Sequence, residues 1–325
     1  MKKTLGILMS LMILPGIILT VVAWGFWGHQ RINRMAVFAL PPEMIGFYKK
    51  HIDFISEHAV DPDKRRYSDP EEAARHYMDL DRYGEHPFDS LPKFWNDAVA
   101  KYGEDSLKQH GIVPYHIPFM LFRLTKAFKE HDQLKILRLS AELGHYVGDA
   151  HVPLHCTKNY NGQLTNQNGI HGFWESRLPE LFGEEYDYFV GRCKYINKPA
   201  DYTWNIIRES YAAHDSVLLL ERELTKKYSP DRKYSYEEKG NTIIRVYSKE
   251  FSADYQKLLN GMVERRMQNA IVAVSSFWYT AWVNAGMPQL DSLSDFVLSD
   301  SLKNEFQKLD KAYQLKKANG KGHDD

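Results

Sequence analysis

The chain has 325 residues, with 42 Lys and Arg against 42 Asp and Glu. A balance this close to neutral excludes holding nucleic acid or a membrane surface by bulk charge, so any attraction for an anion must come from a local site. Cys156 and Cys193 are the two cysteines, and one disulfide between them is left open by their spacing.

The chain begins with Lys2 and Lys3, followed by an apolar run from Leu5 to Ala23 that closes on Val21, Val22 and Ala23. That order predicts a secretory signal peptide over residues 1–23, with an uncleaved anchor as the competing reading. Cleavage after Ala23 would give Trp24 a free α-amine. About 300 residues then remain, with no Pro/Gly/Ser-rich linker to divide them, which predicts one large domain over residues 24–288.

Helical periodicity dominates that domain. Ile32, Met35, Ala36 and Ala39 recur at helical spacing before Pro41-Pro42. A second helix carries Met44, Phe47, Tyr48, Ile52 and Ile55 and ends near His58, so that Asp61 falls just beyond it. In "SDPEEAARHYMDL", Asp69 before Pro70 predicts a capped helix that delivers His76. "IPFMLFRLTKAFKEH" and "LKILRLSAELGHYVGDA" are both periodic at 3.6, and the polar stretch between His155 and His171 reads as an irregular loop. Val263, Met267, Ile271, Val274, Trp278 and Trp282 mark a long last helix packed in the core. Residues 289–325 are charged and weakly periodic, which predicts a loose tail. The sequence shows no alternating strand series, and the expected class is all-α.

The densest chemistry lies in "GHYVGDAHVPLHC". His145 and Asp149 are four apart and share one helix face, and Pro153 should end that helix so that His155 turns toward the same space. His171 and Glu175 repeat the spacing. Two histidine-carboxylate pairs with a further histidine suit zinc or another imidazole-preferring divalent ion, although either pair alone is as readily a satisfied histidine.

The wider order, Trp24, His29, Asp61, His76, His145, Asp149, His155, His171 and Glu175, resembles the superfamily of bacterial zinc-dependent phospholipases C and single-strand-specific zinc nucleases (nuclease S-one and nuclease P-one). The motifs that carry it are a tryptophan followed closely by Gly28-His29, an Asp fifteen residues before His76-Tyr77, the His145/Asp149/His155 spacing, and the His171/Glu175 pair. The resemblance implies a multi-helix domain around three zinc ions. One would be held by Asp61, His76, His145 and Asp149, and a second by His155, His171 and Glu175. The third would take Trp24, through its α-amine and carbonyl, with His29 and the other oxygen of Asp149. Six positive charges against three carboxylates favour an anionic phosphate, and zinc brings the pKa of its water toward about 7.

By the same resemblance, Asp61 would orient or deprotonate the attacking water and Lys64 would contact phosphate; Tyr77, as an aromatic beside His76, is expected to stack a base or line a lipid pocket. Each also has a plain reading, as a charge in the "DPDKRR" run or a packed aromatic. Glu142 is expected behind the ligands or on the surface, and His151 outside the ligand set. The implied activity is exported hydrolysis of a phosphodiester by in-line attack, phospholipase C-like, with no stable protein partner. A single-strand-specific nuclease is the alternative, and a zinc-binding protein without catalysis is the second. Glu175 in place of Asp and the short connection from His155 to His171 lean toward the phospholipases, and Lys64 leans toward the nucleases. The segment from about Gly183 to Ser252 is expected to shape the cleft.

Overall fold

The computed structural model describes residues 25–239, 242–293 and 299–315; the expected leader and Trp24 lie outside the described residues. Chain order runs α1 (Phe26–Ala36), α2 (Pro42–Lys50), α3 (Ile52–Glu57), α4 (Asp61–Arg65), α5 (Val113–Lys129), α6 (Gln133–Ala150) and α7 (Pro199–Thr225). Strands β1 (Tyr234–Lys239) and β2 (Thr242–Tyr247) follow, then α8 (Lys249–Leu258), α9 (Met262–Asn284) and α10 (Asp300–Leu315), with shorter helical turns between them. The architecture is helical, as the periodicity predicts. Among the described residues no helix is long and apolar enough to cross a membrane.

At the centre lies α6. Asp132 caps it by accepting the Lys135 N–H at 3.0 Å. From Leu139 to Ala150 every residue is buried, so the helix must be covered on all sides. The covers are α1, α5 and α9, each packed along it. On α9, Trp278 stacks on Tyr48 at 4.9 Å and donates its indole N–H to the Ser140 carbonyl at 2.9 Å. Truncating so large a buried ring would cost about 3–5 kcal/mol. Arg266, also on α9, donates to the His151 carbonyl at 2.8 Å, setting a cation against the end of α6 where orphan carbonyls collect.

Three local expectations change. The segment before His76 is no full helix, only a 3-10 turn over Ala73–Arg75. Its backbone groups bond elsewhere: Ile112 N–H to Ala74 O at 2.7 Å, Val113 N–H to Tyr77 O at 3.2 Å and Met78 N–H to His155 O at 2.9 Å. Tertiary partners thus replace the helical ladder. Second, β1 and β2 pair antiparallel from Tyr234↔Tyr247 to Lys239↔Thr242, within the segment expected to shape the cleft. The alternation in "YSYEEK" and "TIIRVY" on either side of Gly240-Asn241 is the signal that was there to read.

Third, the expected loose tail is corrected over Asp300–Leu315, where α10 lays Phe306, Leu309, Asp310 and Tyr313 at helical spacing toward the body and buries Leu302. Four apolar side chains one turn apart suffice to seat a helix that is otherwise charged. Residues 316–325 lie outside the described residues. Cys156 and Cys193 are both free thiols, Cys156 buried.

Candidate metal centre

The centre begins where α1 crosses α6. His29 and Asn33, one turn apart on α1, sit against Gly148 and Gly144, one turn apart on α6. A Cβ at Gly144 would fall 2.0 Å from Asn33 Oδ1, and one at Gly148 would fall 3.2 Å from His29 Nδ1. Two glycines therefore let the helices approach at this crossing. Asn33 fixes the contact by donating to the Ala141 carbonyl at 3.0 Å. His29 Nε2 comes to 3.4 Å from Asp149 Oδ1, and its ring stacks on that of His145 at 3.9 Å.

The other oxygen of Asp149 faces a second set. His76 Nδ1 lies 2.9 Å and His145 Nε2 3.1 Å from Asp149 Oδ2, and the two nitrogens are 3.0 Å apart. Asp63 completes this set, with Oδ1 3.7 Å from His76 Nδ1 and 3.6 Å from His145 Nε2. A third set follows the end of α6. His155 reaches it from the Pro153–Cys156 turn, and His171 and Glu175 from a helix that widens into a π-turn over Phe173–Arg177. Glu175 Oε2 stands 3.1 Å from His171 Nε2 and 3.5 Å from His155 Nε2.

Each set, His29/His145/Asp149, Asp63/His76/His145 and His155/His171/Glu175, brings its donor atoms within 4.8 Å of one another, and every member is buried. Outer partners orient the rings. His145 Nδ1 meets the Ala59 carbonyl at 2.9 Å and His155 Nδ1 the His76 carbonyl at 2.7 Å. A carbonyl only accepts, so both Nδ1 atoms donate, which leaves the Nε2 of each ring as the atom turned inward. Glu72 lies 3.4 Å from His76 Nε2 and is held by Arg65 at 2.7 Å, Arg75 at 2.6 Å and the Tyr146 hydroxyl. Arg65 also donates to Glu142 at 2.9 Å, which ties Glu142 into the network around Glu72.

The donor set fits metal ions. Both oxygens of Asp63, both of Glu175, both ring nitrogens of His29 and Oδ1 of Asp149 are buried without a hydrogen bond. Buried acceptors left without donors are costly, and a cation is the partner that several of them can share. Burial pushes the Asp63 carboxyl up to about 7, against the pull of His29 and His76. At Glu175 burial acts the same way, but His171 and His155 override it and hold the group at about 2. Burial would lower His155, yet the Asp149 and Glu175 carboxylates hold it at about 9. Burial lowers both His29 and His145, which favours the neutral ring that binds metal.

Of the residues the sequence singled out, His29, His76, His145, Asp149, His155, His171 and Glu175 fall in these sets. Trp24 lies outside the described residues; Gly25, the first of them, donates its backbone N–H at 3.1 Å to the Oγ of Ser176, the residue after Glu175. Asp61 is corrected, because Asp63 takes its place. On α4 the two are about 200° apart around the axis, so only one can face His76. The Asp61 carboxylate instead meets His58 Nδ1 at 2.6 Å and lies 3.7 Å from Lys64.

Lys64 donates to Asp310 Oδ1 at 2.8 Å and lies 3.7 Å from Asp61. Tyr77 is corrected from a substrate-facing role: it is buried, and its hydroxyl donates to the Gln109 carbonyl at 3.3 Å. His151 stays out of the sets, bonding the Val147 carbonyl at 2.7 Å. Among known proteins, no family model matches this chain, and no curated protein matches it.

Proposed function

We propose that the protein is a zinc-dependent phosphoric ester hydrolase of the zinc phospholipase C and nuclease P-one superfamily, exported and phospholipase C-like in substrate. The observation that carries this reading is three buried histidine-carboxylate sets drawn together, two of them joined through His145 and Asp149. Replacing Asp61 with Asp63 leaves the donor chemistry of the resemblance unchanged.

His29, Asp63, His76, His145 and Asp149 would hold zinc on one side, and His155, His171 and Glu175 on the other; Trp24 is retained as the implied donor to the third ion. Asp63, Asp149 and Glu175 return three negative charges to three divalent ions, so the centre stays cationic and selects an anionic ester. Bound zinc supplies Lewis-acid polarisation of a phosphate oxygen and a nucleophile at neutral pH. Glu72 and the Ala59 and His76 carbonyls keep the rings aimed, which preserves geometry through a reaction.

One observation favours the reading in which zinc is held without catalysis: every donor residue is buried, as in a closed structural site. The deciding experiment loads the mature protein with zinc and follows nitrophenol release from bis(p-nitrophenyl) phosphate before chelation, after it and after zinc is restored. Turnover that vanishes and returns supports the hydrolase, and parallel assays on phosphatidylcholine and single-stranded DNA then separate the two branches. A zinc-loaded protein with no turnover supports storage.

A further inference from the structure

A centre whose donor residues are all buried must open on some side if it is to act on a phosphodiester, and α10 packs beside it. This helix packs on α4, the element that carries Asp63, and Leu302 is its one buried side chain among the described residues. The rest of its hold is at the surface. Asp310 Oδ1 takes Lys64 Nζ at 2.8 Å, closer than the 3.7 Å between Lys64 and Asp61. Glu305 takes Arg138 at 2.8 Å. The Phe306 ring lies 4.0 Å from that of His58, and Tyr313 lies 5.2 Å from Phe26 and 5.5 Å from Tyr67.

Beneath α10 a cavity of about 230 Å³ remains, lined by Asp61, Arg65, Arg138, Glu305, Phe306 and Lys308. Around it Arg65 is held by Glu72 and Glu142 and Arg138 by Glu305, and the neighbouring Lys64 is likewise occupied by a carboxylate of α10. Ion pairs this exposed are weak, and a helix with one buried leucine opens locally at small cost.

We propose that α10 is a strap over the Lys64 flank of the candidate centre, its Asp310 carboxylate standing where an anionic substrate group would meet Lys64. The identity of that substrate rests on the hydrolase reading; the covering of Lys64 does not. The strap must lift before a bulky phosphodiester reaches the centre, whereas a small one needs less movement.

The test uses the full mature chain, zinc-loaded, as wild type, E305A/D310A and F306A/Y313A. Acetylation of Lys64 by N-hydroxysuccinimide acetate is followed by peptide mass spectrometry against the exposed Lys129 as internal reference. Loss of either set of contacts should speed Lys64 labelling roughly five-fold relative to Lys129. Unchanged labelling in both variants overturns the strap. Turnover of single-stranded DNA or phosphatidylcholine should rise more than that of bis(p-nitrophenyl) phosphate, and a fall with the bulky substrates overturns the gating role. No turnover by any of the three proteins sinks the hydrolase reading, and Lys64 labelling alone then decides for or against the strap.

Discussion

In the half of the centre built on α6, His145 belongs to two donor sets and Asp149 reaches both through its two oxygens, whereas no member of the His155/His171/Glu175 set is shared. The backing differs in the same sense. Behind His76 stands a charge network of buried Glu72 and Tyr146 with half-buried Arg65 and Arg75, while His171 and Glu175 depend on one π-widened helical turn. That turn is steadied by the Arg177 pairing to Glu237 of β1 at 2.8 Å and 2.5 Å. A shared construction fails together, and an unshared one fails alone.

The sharpest way to break this comparison is to count metal in two variants. Asp149→Ala should empty both sets of the α6 half, while Glu175→Ala should empty only its own. Equal losses, measured by plasma mass spectrometry after dialysis, would show that the halves are not built as described. Next in size is the choice between two neighbouring carboxylates. Asp63→Asn should weaken zinc in the α6 half by more than the roughly 100-fold that loss of an outer partner reaches. Asp61→Asn, which loses only the contacts to His58 and Lys64, should keep its metal content.

Glu72→Gln tests the backing itself. It keeps the shape and removes the charge beside His76, so zinc affinity of the α6 half should fall about 10–100-fold with the other half unaffected. Competition with a chromophoric chelator reads both classes of site.

The smallest effect concerns pH. His116 packs edge-on against Tyr146 at 4.5 Å, and its Nε2 is buried without a hydrogen bond. Burial holds this histidine at about 3, with Glu72 opposing and Arg75 assisting. Its folded pKa lies below the unfolded value of about 6.5, so the unfolded chain takes up the proton first. Its cost to stability is absent above about pH 6.5 and grows as the pH falls from there toward about 3. His116→Phe should therefore cut the loss of stability between pH 7 and pH 5 by about 1–2 kcal/mol, read from urea unfolding at the two pH values.

Much of the site was legible because its spacing is local. His145/Asp149 and His171/Glu175 are pairs one turn apart, and a helix face is fixed by sequence interval alone. The helices of α5, α6 and α9 were legible for the same reason. Asp61 and Asp63 were not separable, since the choice turns on where α4 begins and how it is rotated, and that is set by packing. Tyr77, next to His76, is buried because its segment bonds to residues 110–113, a pairing that no interval announces. Glu72 and Arg65 carried no signal beyond ordinary charges in a charged run.

The amino-acid order by itself determined the helical periodicity, the glycines one turn apart on α6, and the pairs of imidazole and carboxylate that share a face, since each depends on contacts within a few residues. Only the tertiary structure decided which aspartate faces His76, that the charged C-terminal segment folds back on α4 as a helix, and that three donor sets lie together. Those outcomes depend on how separate helices pack, and packing is a sum over distant contacts that no short stretch of chain contains.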